Sequence, residues 1–343
     1  MTTAGSPTST IEDAVGEALR AGFVAGTALG PLAPPLREEY IVSGLLTSGV
    51  PTLDTELRRV LRPFGFDLTV GGVFCHGTPK VQLKGGGSCE LADLLVVVRY
   101  ENGGFVERNA LLLQAKKEGG APPKGNQLRL YEDWPEFVYS SAAGLKGLKR
   151  SVHPKAPGPG AQFVELGTCP SCKKWAAGCP VDGWAADSWR PGTARRPFLN
   201  ELSDVIRGWS GRRFELPPRA RTRGWDRVIE DLLRVTAERA FRVAKRAMGS
   251  AGRGDVAHDY AQILREERCW PVQPRPLALY RDLGLSEEAA DPSAWLSEVR
   301  VPPTLPPDAL AGPVDDDDGA VSLLLVEISR GKDSRAVLSD EFT

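Results

Sequence analysis

Two short apolar runs joined by a turn sequence constrain the fold of this chain more than any other feature. Leu94 to Val98 and Leu111 to Leu113 are strand-sized, and Glu101-Asn102-Gly103-Gly104 between them is typical of a turn. Strands that are apolar at nearly every position suit a sheet covered on both faces. The sequence therefore predicts strands over Asp93 to Tyr100 and Ala110 to Lys116 in an α/β core.

Helical periodicity on both sides of these strands predicts the rest of the core. Its order is helix, strand, strand, strand, helix, with a further strand near the end of the chain. The predicted elements are a helix from Ser9 or Thr10 to Gly22, a helix over Thr52 to Arg62, an extended stretch from Gly65 through Phe74, a helix over Gly125 to Tyr139 cut near Pro135, a long helix over Trp225 to Met248 and a strand over Val321 to Ile328.

The composition excludes several classes of protein. Of the 343 residues, 41% are hydrophobic and 25% charged, so the chain can bury a core. It contains no run of 18 apolar residues, and we expect no contact with a membrane. Met1 to Thr10 lacks a secretory pattern, which predicts a cytoplasmic protein whose six cysteines are thiols or metal ligands.

The net charge of −1 conceals a segregation of charge. Residues 190 to 227 contain ten arginines and four acidic residues, whereas residues 287 to 343 contain thirteen acidic and four basic residues. Arginine binds phosphates in a bidentate manner, and the interleaved aromatic residues can stack on unpaired bases. We predict nucleic-acid contacts by Arg195, Arg196, Arg212, Arg213 and Lys117, the alternative being a solvated face.

A candidate catalytic site lies on the two apolar strands. Asp93 opens the first strand, and Gln114 and Lys116 lie two residues apart on the second, hence on one face. A carboxylate, an amide oxygen and an ammonium group can hold a hard divalent ion, since Mg²⁺ keeps several waters and needs few protein ligands. Lys116 could then orient a metal-bound water or stabilise charge on a phosphate. The alternative is that Gln114 and Lys116 only end a strand in solvent.

The order of these motifs resembles the PD-(D/E)xK nuclease superfamily. Asp93 followed by Gln114-Ala115-Lys116 is similar to the Mrr-like variant, in which Gln replaces the usual acid. Gln127-Leu128-Arg129-Leu130-Tyr131 resembles the Q-x-x-x-Y motif of RecB-like members, and the helix carrying Glu56, with Gly65 to Leu68, resembles the opening elements of Mrr-like domains. The resemblance covers about residues 50 to 140. It implies a restriction-endonuclease-like mixed sheet flanked by helices.

The resemblance also implies roles for individual residues. Asp93 would be the principal metal carboxylate, Gln114 the second metal ligand and Lys116 the catalytic lysine. Gln127 and Tyr131 would support the site or position the phosphate backbone. The expected reaction is hydrolysis of DNA phosphodiester bonds by water activated by Mg²⁺ or Mn²⁺, without a covalent enzyme intermediate.

Two positions depart from the family pattern. Ala92 stands where the family often has Pro, and Gln114 leaves one carboxylate in the two main motifs. Glu90 is the first candidate for an additional metal and catalytic carboxylate and Glu56 the second, although Glu90 could also be a solvated loop acid. His76 is either an acid or orienting group near the site or a structural residue.

Three cysteines form a possible structural metal site. Cys169, Cys172 and Cys179 have the spacing C-x2-C-x6-C, and the first pair is typical of half a tetrahedral zinc site. The spacing is also similar to the cysteine triplet of iron–sulfur members of the nuclease superfamily. Cys75, Cys89 or Cys269 could supply a fourth ligand to zinc or to an iron–sulfur cluster. The alternative is a Pro- and Gly-rich loop with unused thiols.

The sequence therefore predicts a metal-dependent DNA nuclease for restriction or anti-phage defence, acting as a homodimer or with a partner protein of a defence system. The alternative is a nuclease-fold subunit that has lost activity and binds nucleic acid or assembles a complex. The predicted organisation is an N-terminal helical segment (1–48), a nuclease core (49–150), a cysteine-containing insert (151–190) and a mainly helical, Arg-rich C-terminal extension with an acidic end (191–343).

Overall fold

The structure, a computed structural model, describes residues 7–29, 38–75, 79–117, 125–142, 144–152, 160–166, 187–189, 196–218, 224–236, 269–272 and 320–330. Together these residues form a mixed α/β fold. None of the helices in these ranges is long and apolar enough to cross a membrane.

Six α-helices and thirteen strands make up the described part of the fold. The helices are α1 (Pro7–Leu29), α2 (Glu38–Gly44), α3 (Val50–Leu61), α4 (Asn126–Asp133), α5 (Phe198–Arg207) and α6 (224–236), with a π-helical turn at Leu45–Gly49 and a 3-10 turn at Arg62–Phe64. The strands are β1 (Phe66–Cys75), β2 (Lys80–Leu83), β3 (Ser88–Glu90), β4 (Leu94–Asn102), β5 (Phe105–Lys117), β6 (Phe137–Tyr139), β7 (Lys149–Arg150), β8 (Ala161–Leu166), β9 (Asp187–Trp189), β10 (Arg196–Pro197), β11 (Arg212–Arg213), β12 (Cys269–Val272) and β13 (Ser322–Arg330).

The two apolar runs lie at the centre of a mixed nine-stranded sheet, which confirms the predicted α/β class with a mixed sheet. Its strand order is β10-β9-β8-β5-β4-β13-β1-β12, and β11 also pairs with β5. β4 and β5 form an antiparallel hairpin through Gly103 and Gly104, whose φ values of 58° and 91° suit glycine. β8 runs parallel to β5 and β13 runs parallel to β4. Leu95 to Val97 and Leu111 to Leu113 are fully buried, as expected for strands covered on both faces.

Helices cover the two faces of this sheet. On the first face, which we call the α1 face, Gly72, Leu324, Val96 and Leu111 are neighbours in register, and a Cβ on Gly72 would lie 3.1 Å from Leu46. The opposite face, which we call the α4 face, carries side chains such as Phe163 that pack against α4. α1, α2, α3 and α5 therefore form one layer, while α4 belongs to the other.

Gly22 does not end the first helix, so that prediction was wrong. α1 continues to Leu29 because Gly22 serves the packing between helices instead of a helix terminus. A Cβ on Gly22 would lie 2.6 Å from Cα of Leu45, and one on Gly44 would lie 2.1 Å from the carbonyl oxygen of Gly22. Glycine at both positions lets α1 and the π-helical turn cross in backbone contact.

The predicted helix over Gly125 to Tyr139 is confirmed only in its first half. α4 ends at Asp133, and Trp134 adopts a left-handed conformation with φ 43° before Pro135. The residues after this break, Phe137–Tyr139, form strand β6 of a second, four-stranded sheet with the order β3-β2-β6-β7. Of the predicted long helix, residues 224 to 236 are described, and the remainder to Met248 lies outside the described residues.

The second sheet is tied to α4 and α6 by side chains. Arg129 on α4 donates to the carbonyl oxygen of Lys84 at 2.7 Å, and Asn126 donates to that of Ser88 at 3.2 Å. Arg150 on β7 forms a bidentate pair with Asp231 on α6 at 2.6 and 2.9 Å. Burial raises the pKa of Asp231 although Arg150 acts in the opposite direction. The bonds from Arg129 and Asn126 hold the β2–β3 hairpin, which precedes Asp93, against α4, and the Arg150 pair ties β7 to α6.

Strands from outside the predicted core complete the large sheet. β8 comes from the predicted cysteine insert, and β13 comes from the predicted C-terminal extension. β13 lies between β1 and β4, where Leu324 is in register with Gly72 and Val96. Segments on both sides of residues 150 and 190 therefore share one sheet and one buried core.

Candidate active site

The candidate site begins with a fixed carboxylate at the start of β4. The backbone N–H of Asp93 donates to the carbonyl oxygen of Leu113 at 2.9 Å. The Oδ2 atom of Asp93 accepts from the backbone N–H of Ala115 at 2.7 Å and from the side-chain amide of Gln114. Three hydrogen bonds therefore fix Asp93 to β5, next to Gln114.

Gln114 places an unsatisfied oxygen beside this carboxylate. Its side chain is only 2% exposed, and Nε2 donates to Asp93. Its Oε1 is buried and has no hydrogen-bond partner among the described residues. A buried acceptor without a partner is unfavourable and requires an explanation. The amide oxygen and the carboxylate together provide two oxygen atoms that could coordinate a metal, and Mg²⁺ prefers oxygen ligands.

Lys116 follows on the same face of β5, where its side chain is half-buried. Within the described part of the chain, its side chain has no hydrogen bond or ion pair. Its register neighbour on the parallel strand β8 is Glu165, whose side chain therefore leaves the sheet on the same face. Glu165 was missed from the sequence, although the alternation in Ala161 to Leu166 is itself a signal for a strand.

Tyr131 on α4 supports the segment that leads into Asp93. Its hydroxyl donates to the carbonyl oxygen of Leu91 at 2.9 Å, and its ring lies 5.0 Å from that of Phe163. Burial raises the pKa of Tyr131 well above its usual value, with further contributions from Asp93 and Cys89. Burial, followed by Glu90, raises the pKa of Cys89 to about 11. Both groups are therefore uncharged at neutral pH.

Gln127 lies one helical turn before Tyr131 and is half-buried. The structure thus brings the motif from Gln127 to Tyr131 to the sheet face that carries Asp93, because α4 packs on that face. The Tyr131 contact to Leu91 is consistent with a supporting role for this helix.

The two candidate additional carboxylates occupy different surroundings. Glu90 is half-buried in β3 and lies opposite Lys80 in the second sheet. Glu56 pairs with Arg59 at 2.8 Å on α3, which packs on the opposite face from Asp93. No three His, Cys, Asp or Glu side chains in the described ranges converge as a metal-binding group. Asp93 is therefore not part of such a group among these residues, and its observed oxygen neighbour is the amide of Gln114.

The described arginines of the basic stretch make contacts within the fold. Arg196 pairs with Glu201 at 3.2 Å and Asp204 at 2.7 Å. Arg213 pairs with Glu107 at 2.6 Å, and Arg212 lies 5.2 Å from the ring centre of Trp225. A phosphate would have to compete with these carboxylates for Arg196 and Arg213. Arg195 and the side chain of Lys117 lie outside the described residues.

Several other predicted residues also lie outside the described part of the structure. They are His76, Cys169, Cys172, Cys179 and the side chain of Cys269. Cys75 is a buried cysteine and Cys89 is a half-buried one. The predictions of a zinc or iron–sulfur site therefore stay predictions.

Comparison of this chain with protein-family models, curated proteins and solved structures finds no match.

Proposed function

We propose that this protein is a metal-dependent nuclease that hydrolyses DNA phosphodiester bonds by chemistry of the PD-(D/E)xK type, in restriction or anti-phage defence. The observation that carries the proposal is the Oε1 of Gln114, which has no hydrogen-bond partner among the described residues and lies beside the Asp93 carboxylate, on the sheet face that also bears Lys116. A carboxylate and an amide oxygen can hold a hard divalent ion, and an ammonium group can stabilise charge on a phosphate.

The residues present fit a hard divalent cation. Asp93 and Gln114 would hold it through one carboxylate oxygen and one amide oxygen, and a cation would satisfy the buried Oε1. When bound, the ion supplies a water of lowered pKa and positive charge near the phosphate.

The chain itself supplies positioning and charge. The N–H of Ala115 and the amide of Gln114 fix the orientation of Asp93 before any substrate arrives. The Lys116 ammonium, which no described carboxylate pairs with, is available to stabilise charge on a phosphate oxygen or to orient the attacking water. Tyr131 holds the backbone at Leu91 and thereby limits movement of the strand that carries Asp93.

A cleavage assay tests the proposal. The full-length protein is incubated with linear, circular and single-stranded DNA in the presence of Mg²⁺, Mn²⁺ or chelator. We expect cleavage of at least one DNA form with a divalent ion and none with chelator. Cleavage that persists in chelator would contradict the assigned chemistry.

A non-catalytic nucleic-acid-binding or assembly subunit is the second candidate. It is favoured by the finding that no three His, Cys, Asp or Glu side chains converge among the described residues. This candidate predicts DNA binding that falls with added salt, through release of counterions, with no cleavage at any metal concentration.

Gln114→Glu gives a test of metal binding that does not depend on activity. The substitution replaces a donor to Asp93 with a second buried carboxylate, and two like charges in contact are unfavourable. We expect the metal-free variant to lose about 2 kcal/mol of stability and to regain most of it when Mg²⁺ is added.

Thermal unfolding with and without Mg²⁺ measures this effect. The matched control is Gln82→Glu, which introduces the same charge at an exposed position of β2 and should leave the melting temperature insensitive to Mg²⁺. Equal Mg²⁺ responses of the two variants would argue against Gln114 as a metal ligand.

A further inference from the structure

A second concave site lies on the α1 face, at the far end of the sheet from Asp93. It is a cavity of about 370 Å³ between the sheet and the ends of α3 and α5, which we call the α5 cavity. Small-molecule sites begin at roughly this volume. Tyr100 in its floor is seven residues beyond Asp93, about 23 Å along β4. The cavity is therefore separate from the candidate active site.

Aromatic rings and arginines line the α5 cavity together. Phe66 and Tyr100 form part of the floor, with ring centres 6.3 Å apart, and Trp209, which is 60% exposed, lies at the rim. Arg207 lies 5.1 Å from the Trp209 ring, and Arg330 lies 5.8 Å from the Phe66 ring. Planar walls next to guanidinium groups favour a ligand that is both flat and anionic.

The three arginines that line the cavity differ in whether a nearby carboxylate neutralises their charge. Arg207 bonds Glu12 at 3.1 Å and Asp204 at 3.3 Å, and Arg213 pairs with Glu107 at 2.6 Å. Arg330 has no carboxylate partner in the described part of the chain, and its buried Nε has no hydrogen-bond partner there. An anionic group is the natural complement of Arg330.

Asn109 adds a fixed acceptor to the cavity. Its side chain is 5% exposed, and its amide nitrogen donates to the carbonyl oxygen of Ser210 at 2.6 Å. This bond fixes the orientation of the amide, and the buried Oδ1 has no hydrogen-bond partner among the described residues. A ligand with an N–H donor would satisfy this oxygen.

We propose that the α5 cavity binds a nucleoside 5′-monophosphate. The base supplies a flat ring for the aromatic wall and an N–H group for Oδ1 of Asn109. The phosphate supplies the anion for Arg330. The other features of the cavity, its volume and its mixed apolar and polar lining, agree with a ligand of this size.

Calorimetric titration of the full-length protein tests this proposal. The probes are AMP, GMP, CMP and UMP, each compared with the matching nucleoside. We expect saturable binding of at least one monophosphate at one site per chain, and at least tenfold weaker binding of its nucleoside. Saturable binding of none of the four, or equal binding of nucleotide and nucleoside, would overturn the proposal.

Variants locate the site. Arg330→Met should weaken the nucleotide at least tenfold without changing the affinity for the nucleoside, whereas Asn109→Leu should weaken both. Arg59→Met, at an exposed position of α3 outside the cavity, is the matched control and should bind as the wild type does. Lys116→Met should also bind the nucleotide normally, which separates this site from the proposed nuclease site. If Arg330→Met bound the nucleotide as tightly as the wild type does, the nucleotide site would lie elsewhere and the inference would be refuted.

Discussion

Lys116→Met is expected to lower the rate constant of DNA cleavage by a factor of about 10² to 10³ while leaving the fold intact. Removal of one group that stabilises charge in a transition state typically has an effect of this size. Because Lys116 is half-buried and has no partner among the described residues, its loss should leave no buried charge unpaired. Single-turnover cleavage with saturating protein and Mg²⁺ measures the chemical step without a contribution from DNA affinity.

Lys149→Met is the matched control for that variant. Lys149 is an exposed lysine that pairs with Glu136 at 2.8 Å in the second sheet. We expect its cleavage rate to stay within about threefold of the wild type, since exposed ion pairs contribute little. Wild-type cleavage by Lys116→Met would refute the assignment of the catalytic lysine, and equal losses in both variants would point to general weakening of DNA binding.

Leu324→Lys is expected to unfold the protein. Leu324 is 1% exposed in β13 and lies between Gly72 and Val96 in the middle of the sheet. An unpaired buried ammonium costs several kcal/mol, which is comparable to the whole stability of a typical domain, about 5 to 15 kcal/mol. Far-ultraviolet circular dichroism and thermal unfolding should show loss of the cooperative transition.

Ser329→Lys provides the control for Leu324→Lys. It introduces the same charge into the same strand at a half-buried position in register with Asp67 and Glu101, two acidic neighbours. We expect this variant to remain folded, with a melting temperature close to that of the wild type. A folded Leu324→Lys protein would show that β13 is dispensable for the core.

The acidic end of the chain illustrates what local pattern cannot predict. The strand over Val321 to Ile328 was predicted correctly and corresponds to β13, yet its place in the sheet was not predicted. An apolar run specifies burial, but the choice of partner strands depends on contacts far apart in sequence. Ser322 makes such a contact, since its hydroxyl donates to the carbonyl oxygen of Cys75 at 3.2 Å.

The candidate active site and the α5 cavity show the same difference. Some of their residues can be predicted from local sequence pattern, and others are placed by contacts between distant segments. Asp93, Gln114 and Lys116 were predicted together because two adjacent strands and a two-residue period place them on one face. Glu165 and Asn109 were not predicted, since one depends on the parallel register of β8 and the other on a cavity between layers. Glu56 was predicted near the site but lies on α3, on the α1 face, because periodicity does not say which sheet face a helix covers.

The sequence by itself determined the α/β class, the β4–β5 hairpin and the grouping of Asp93 with Gln114. These depend on interactions between residues close in the chain, which the apolar pattern and turn chemistry encode directly. The tertiary structure alone decided that β13 lies between β1 and β4, that Gly22 serves helix crossing, and that Gln114 has a buried oxygen with no partner in the described part of the chain. Each of these depends on which distant surfaces come into contact, and that is a property of the packed molecule.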